Sequence, residues 1–312
     1  MDRSETNELL DTPVLLLAFN RYEPARRVFE AVRNARPRRF YFACDGPRNP
    51  AEEEACARVR SLVELVDWPC EVRTRFQPAN VGLKHGVSSA ITWFFEQEPE
   101  GIVLEDDTVP VPSFFRYCRE LLERYRHDDR VWWVLGNNLM ASTRPVARHS
   151  YYCSQHGYGA PWGWASWRRS WMKYDVDMKE WPKVRGTPDW DAFFLTPAER
   201  YEANQLFEGT WNGHFRTWDF QMDFARILHR GITIIPEHNL IRNIGFGGDG
   251  TNTLKDDDPR NVDNVSEMPF PLVHPPELVV DVARDKAYFN RFIRTPLRSR
   301  LKGWLKGLLS TR

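Results

Sequence analysis

Between residues 13 and 138, short apolar runs alternate with stretches whose apolar residues recur at helical spacing. No other feature of the chain constrains its fold as tightly. "PVLLLAF" (13–19) is a continuous apolar run of the kind a strand covered on both faces shows. After it, Ala25, Val28, Phe29 and Val32 fall on one helical face, and Pro24 suits a first turn. "RRFYFACDGPR" (38–48) reads as a second strand, and a helix from about Glu52 aligns Ala55, Val59, Leu62, Val63 and Val66. "CEVRTRF" (70–76) is a third strand, followed by a helix carrying Val87, Ala90, Ile91, Phe94 and Phe95. Ile102, Val103 and Leu104 form the next strand, and Phe114, Phe115, Cys118, Leu121, Leu122 and Tyr125 line the helix after it. "VWWVLGNN" (131–138) closes the series. This order predicts an α/β fold: a mostly parallel central sheet with helices on both faces.

The texture changes after about residue 150. Eight of the thirteen tryptophans lie between residues 162 and 218, followed by strand-like "ITIIP" (232–236) and glycine-rich "NIGFGGDGTNT" (243–253). No linker composition separates the two halves. Charge excludes one class of function: 43 Lys and Arg balance 43 Asp and Glu, without the basic excess of a nucleic-acid binder. The five cysteines are scattered and free of C-x-x-C pairs, so reduced core thiols are expected and a zinc site is not. The polar, acidic start is unlike a signal peptide, and no apolar run is long enough to span a bilayer.

The chemistry concentrates in "GIVLEDDTVPVPSFF" (101–115), where a buried-strand pattern runs straight into Glu105, Asp106 and Asp107. Carboxylates repel one another and resist burial, so a triplet at a strand end needs open water or a cation. In parallel sheets, ligands bind outside the carboxyl ends of the strands. Acids there can hold a hard divalent ion that takes its other ligands from water and phosphates. An acidic surface turn is the plainer alternative.

Asn20 and Arg21 follow the first strand and Asp45 the second, which puts them at the same edge. Arginine offers a planar fork to phosphate or a base edge; a carboxylate accepts from a base N–H or a ribose hydroxyl. "GFGGDG" (245–250) matches G-x-G-x-x-G but lacks the surrounding βαβ unit, so a dinucleotide site is rejected. A loop over a pyrophosphate, with Phe246 and Gly247 in it, and an ordinary turn both remain open. Most of the clustered tryptophans fit a core; Trp164 and Trp218 are the candidates for stacking on a sugar ring. Asp219, in "FRTWDFQMD", reads as a lone acid beside Trp218 within an aromatic patch, with a helix cap or first-turn acid as the plainer alternative.

Together these residues resemble a GT-A glycosyltransferase, nearest to a bacterial branch related to the N-acetylglucosaminyltransferase I family, over roughly residues 12–255. "LAFNR" is similar to that family's first strand and nucleotide-contacting arginine, here Arg21. The resemblance implies that Asp45 and His85 read the uridine, that Asp107 ligates Mn²⁺ (or Mg²⁺), and that Asp106 and Glu105 face ribose and donor sugar. "APWGWASW" resembles a glycine-containing turn before an aromatic helix on the acceptor side, and "TWDFQM" the segment whose acid, Asp219, is the general base. The family's second acid after that Trp-Asp is Phe220 here.

What the resemblance implies is an inverting hexosyltransferase using UDP-GlcNAc or another UDP-hexose, with a glycan or lipid-linked sugar acceptor, in surface polysaccharide or glycan assembly. One catalytic domain is expected over residues 1–285, divided into a nucleotide-sugar half (12–140) and an acceptor half (141–285). Residues 286–312 are read as a basic amphipathic helix that either packs on the catalytic domain or touches an anionic membrane, in the second case on a cytoplasmic protein peripheral to the inner face of the membrane. Two other readings stay open: a metal-dependent nucleotide-sugar hydrolase, and a non-catalytic glycan- or membrane-binding protein.

Overall fold

The structure is a computed structural model that describes residues 8–141, 148–156, 161–246 and 258–295. The first half alternates as expected: β1 (Val14–Ala18), α1 (Tyr22–Ala35), β2 (Arg39–Cys44), α2 (Glu53–Arg60), β3 (Glu71–Phe76), α3 (Leu83–Gln97) and β4 (Glu100–Glu105). Then come β5 (Thr108–Pro110), α4 (Ser113–Arg124) and β6 (Val131–Leu135). The four residues buried on α1 are Ala25, Val28, Phe29 and Val32, the predicted face. The second helix is shorter than its pattern suggests: α2 tightens into a 3-10 turn over Ser61–Leu65, which still buries Leu62.

Eight strands form one sheet in the order β3-β2-β1-β4-β8-β6-β9-β7, with β7 (Tyr151–Ser154), β8 (Trp164–Trp167) and β9 (Ile232–Pro236) coming from the second half. Pairings from β3 to β4 are all parallel, as is β6 with β9. β8 runs antiparallel between β4 and β6, and β7 antiparallel to β9. The fold is therefore α/β with a mostly parallel central sheet.

Alternation along the strands divides the core between the two faces. Val14, Leu16, Phe40 and Phe42 share an apolar cluster with α1 and α4. Leu15, Leu17, Tyr41 and Ala43 share another with α3 and with Trp218, Met222 and Ala225 around α9 (Asp219–Leu228). Each such aliphatic or aromatic side chain, fully buried, contributes about 1.5–3 kcal/mol.

α5 (Arg168–Trp171) leaves β8 and packs on the sheet. After it, three short or medium helices, α6 (Trp181–Val184), α7 (Pro188–Asp191) and α8 (Pro197–Trp211), build a satellite core beside the sheet. Trp181, Trp190 and Phe207 pack there against Phe224 of α9. α8 starts with a reciprocal cap, Thr196 and Glu199 each accepting from the other's backbone. β10 (Ile241–Asn243) pairs antiparallel with β5, outside the main sheet.

"APWGWASW" departs from its predicted form. Trp164–Trp167 is a strand inside the sheet, with Trp164 fully buried and stacked on Trp171 and Trp218. Its ring is core and cannot meet a sugar. The last described helix is α10 (Val282–Tyr288), continued by a π-type turn over Phe289–Ile293. Tyr288 and Phe289 are buried against the rest of the chain; residues 296–312, where the basic amphipathic pattern lies, are outside the described residues. Among the described residues no helix is long and apolar enough to cross a membrane. All five cysteines are unpaired; Cys70 is partly exposed and the other four are buried.

Candidate active site

Because β3, β2, β1 and β4 are parallel, the segments after them converge on one edge of the sheet. They open onto a cavity of about 1830 Å³ lined by Asn20, Arg21, Asp45, Glu105, Asp106 and Asp107. Arg21 occupies the N-cap position of α1 but makes no side-chain cap, which frees its guanidinium to cross to β4. There it donates to Asp106 and, at 2.8 Å, to Asp107. Burial alone would lower the Arg21 pKa, but the two aspartates more than offset it and hold the group charged.

One arginine does not neutralise three acids. Burial pushes Glu105 well above the usual carboxylate range, and the charges on Asp107, Asp219 and Asp106 push it further. Burial likewise raises Asp106 to about 6 despite Arg21. Among the described residues that line the cavity, nine Asp and Glu face five Arg. Among these described residues negative charge predominates.

A second segment fixes the acids from the other side. β10 pairs with β5 directly after the triplet, and the Ile244 N–H donates to the Asp107 carbonyl at 2.8 Å. A side chain at Gly245 would place its Cβ 2.3 Å from Asp107 Oδ2, so only glycine lets the backbone lie this close. Phe246 packs edge-on against Trp162 at 5.6 Å, and both line the cavity. Gly247 is outside the described residues.

Asp45 is both wall and anchor: Oδ1 accepts from the Gly46 and Val81 backbone, Oδ2 from Asn80. His85 is placed differently from expectation. Leu83, Gly86, Val87 and Ala90 present the cavity-facing stripe of α3, while His85 is rotated off that stripe and exposed. Arg75, which sequence reading passed over, lies at the end of β3 on the cavity wall. Its buried Nε has no hydrogen-bond partner among the described residues. Only the convergence of strand ends could have singled it out.

Across the cavity, Asp219 is the first residue of α9 and accepts from the Thr217 hydroxyl. Burial raises its pKa, while Thr217 and the backbone N–H groups of the helix start oppose that rise. Asp219 is not alone. Asp223, one turn further along the same face, also lines the cavity, and burial raises it to about 6 against the pull of Arg226 at 3.2 Å. The i, i+4 spacing in "DFQMD" carried this information. Trp218 is 2 % exposed and lies under the cavity wall, stacked on Trp164 at 5.7 Å, which leaves it little face for a ligand. Burial and the nearby Arg226 lower the His156 pKa to about 3, so it is neutral where it lines the far lobe.

Among the described residues, no group of three or more His, Cys, Asp and Glu is disposed to enclose a metal. No family model matches the chain, and no curated protein matches it. Similar solved structures are distant. An active-site mutant of LgtC is 12% identical with a TM-score of 0.36, over 92% of this chain and 99% of that one. HddC from Yersinia pseudotuberculosis is 13% identical with a TM-score of 0.33, over 56% and 88%. Mouse xyloside xylosyltransferase 1, in its apo form, is 14% identical with a TM-score of 0.32, over 70% and 81%. Likeness at this distance says nothing about chemistry.

Proposed function

We propose that this chain is a GT-A-type glycosyltransferase that binds a nucleotide-diphosphate sugar at the carboxyl edge of the sheet and transfers the sugar to an acceptor hydroxyl. The carrying observation is that one cavity holds Arg21 and the Glu105–Asp107 triplet on one wall and Asp219 on the other. The donor is read as UDP-GlcNAc or another UDP-hexose, and the transfer as inverting, from the sequence resemblance. A glycan or a lipid-linked sugar would be the acceptor.

The residues present fit a divalent cation, Mn²⁺ or Mg²⁺. A lining whose described residues include nine acids and five arginines disfavours a diphosphate unless a cation comes with it. Asp107, supported by Asp106, would hold the ion while diphosphate oxygens and water complete its shell. Bound there, the ion neutralises charge on the leaving diphosphate. Asp45 and Arg75, both on the cavity wall, would meet the nucleoside. Asp219, held by Thr217, takes the proton from the attacking hydroxyl, and its raised pKa makes it the stronger base.

A panel of nucleotide-sugars screened for Mn²⁺-dependent thermal stabilisation tests the binding half. Mass detection of transfer to glycan acceptors tests the chemistry. Donor turnover that continues undiminished without any acceptor would replace the transferase by a hydrolase. Loss of all metal-dependent nucleotide binding would leave a glycan-binding protein.

A further inference from the structure

The cavity is larger than its donor needs. At about 1830 Å³ it exceeds the ~300–1,000 Å³ of typical small-ligand sites, and it continues past Asp219 into a lobe between α8, α9 and α10. Asp223 faces that lobe with 26% of its side-chain surface accessible. Arg226 is fully buried and fixed by the Gln155 and Gly231 carbonyls, and its bonds to Asp223 both end on Oδ1. Oδ2 of Asp223 has no partner among the described residues.

The opposite wall is aromatic. Tyr288, Phe289 and Phe292 line it, and the segment that carries them is pinned at both ends. Asp285 accepts from the Ser154 hydroxyl at 2.5 Å and the Gln155 N–H at 3.0 Å, while Thr295 donates to Glu202 at 3.0 and 3.1 Å. The wall is thus a built part of the fold.

We propose that this lobe is a saccharide subsite for the acceptor, in which Asp223 Oδ2 accepts from ring hydroxyls and the half-buried ring of Phe292 covers the C–H face. Apolar walls with a few placed polar groups are the common form of such sites. Asp219 and Asp223 are four residues apart on one helix face, about 6 Å of axial rise. That separation lets one pyranose ring present one hydroxyl to Asp219 for attack and another to Asp223 for orientation. The inference rests on the transferase reading and names the acceptor class within it: a neutral sugar ring at the acceptor end.

The test is saturation-transfer NMR on the full chain with UDP and Mn²⁺, using a panel of methyl hexopyranosides and methyl N-acetylhexosaminides. At least one glycoside should receive saturation from the wild-type protein. Asp223→Asn should cut that signal at least tenfold, and Phe292→Ala should weaken it, while both variants retain the UDP signal and a single cooperative melting transition. A glycoside signal that survives Asp223→Asn, or UDP binding with no glycoside bound, overturns the subsite and leaves the transferase reading standing. If UDP itself fails to bind the wild type, the transferase reading falls and takes the subsite with it.

Discussion

Gly245 has no room for a side chain, and the atom that denies it is a carboxylate oxygen of Asp107. Gly245→Ala should therefore leave the fold standing but move the carboxylate. Mn²⁺-dependent UDP affinity is expected to fall about tenfold, roughly 1.4 kcal/mol, with little change in melting temperature. Asp107→Ala should abolish metal-dependent UDP binding altogether while leaving the apo fold intact, because relief of repulsion with Glu105 and Asp106 offsets the lost bond to Arg21. Calorimetric titration checks both, and unchanged affinity in Asp107→Ala would end the metal assignment. Glu105 gives a pH test. Asp106 and Asp223 are each raised from 3.8 to about 6, so their contribution to stability is full below pH 3.8 and is lost as pH rises through about 6. Glu105, raised further, extends the loss upward. The apo melting temperature should fall across that window, and Glu105→Gln should raise it by a few degrees at pH 7. A lower melting temperature for Glu105→Gln would show that the charge cluster carries no strain.

At the scale of elements, legibility followed length. The α1 face was readable because its apolar residues repeat over several turns, and β1 and β2 because strands covered on both faces are continuously apolar. β5, β8 and β10 are three or four residues long, too short to show a period, and the tryptophans of β8 disguised a core strand as a binding surface. The rotation of α3 decided His85, since a cap or a kink of one residue changes which side chain meets the cavity. The acid triplet was legible because a charged run after a buried strand is costly without a purpose. Asp223 and Arg75 were not, because their importance comes from which elements the sheet brings together. The start of α9 supports a further test. Asp219→Asn should keep UDP affinity and lose about 10²–10⁴-fold in turnover, the usual worth of a general base. Turnover near the wild-type rate would leave Asp219 a helix-terminal acid.

For the whole molecule, the C-terminal region divides at Thr295. Residues up to there form a cavity wall, tied to α8 through Glu202. Leu297, Leu301, Trp304, Leu305 and Leu308, beyond it, repeat at helical spacing among Arg298, Arg300, Lys302 and Lys306. We propose that residues 296–312 give peripheral, salt-sensitive contact with anionic membranes, at about 1 kcal/mol per basic residue near the surface. Removing 296–312 should abolish flotation with anionic liposomes at low salt and spare transfer to a soluble acceptor. Removing 282–312 should cost transfer as well. Equal flotation of full-length and 295-residue proteins would assign no membrane role to the tail.

The antiparallel passage of β8 between β4 and β6 also sets an order of assembly. Until residues 164–167 arrive, the strand that carries the acids has an unpaired edge beside an open gap in the sheet. Until residues 241–243 arrive, nothing pairs with β5 behind Asp107. During synthesis the chain is therefore committed to contacts of long sequence separation before the first site can form, which slows folding and favours protection of the nascent first half. The same threading makes the boundary near residue 140 a poor place to cut. A fragment ending there loses the neighbour of β4 on one side, so the two halves cannot be exchanged between relatives as independent modules.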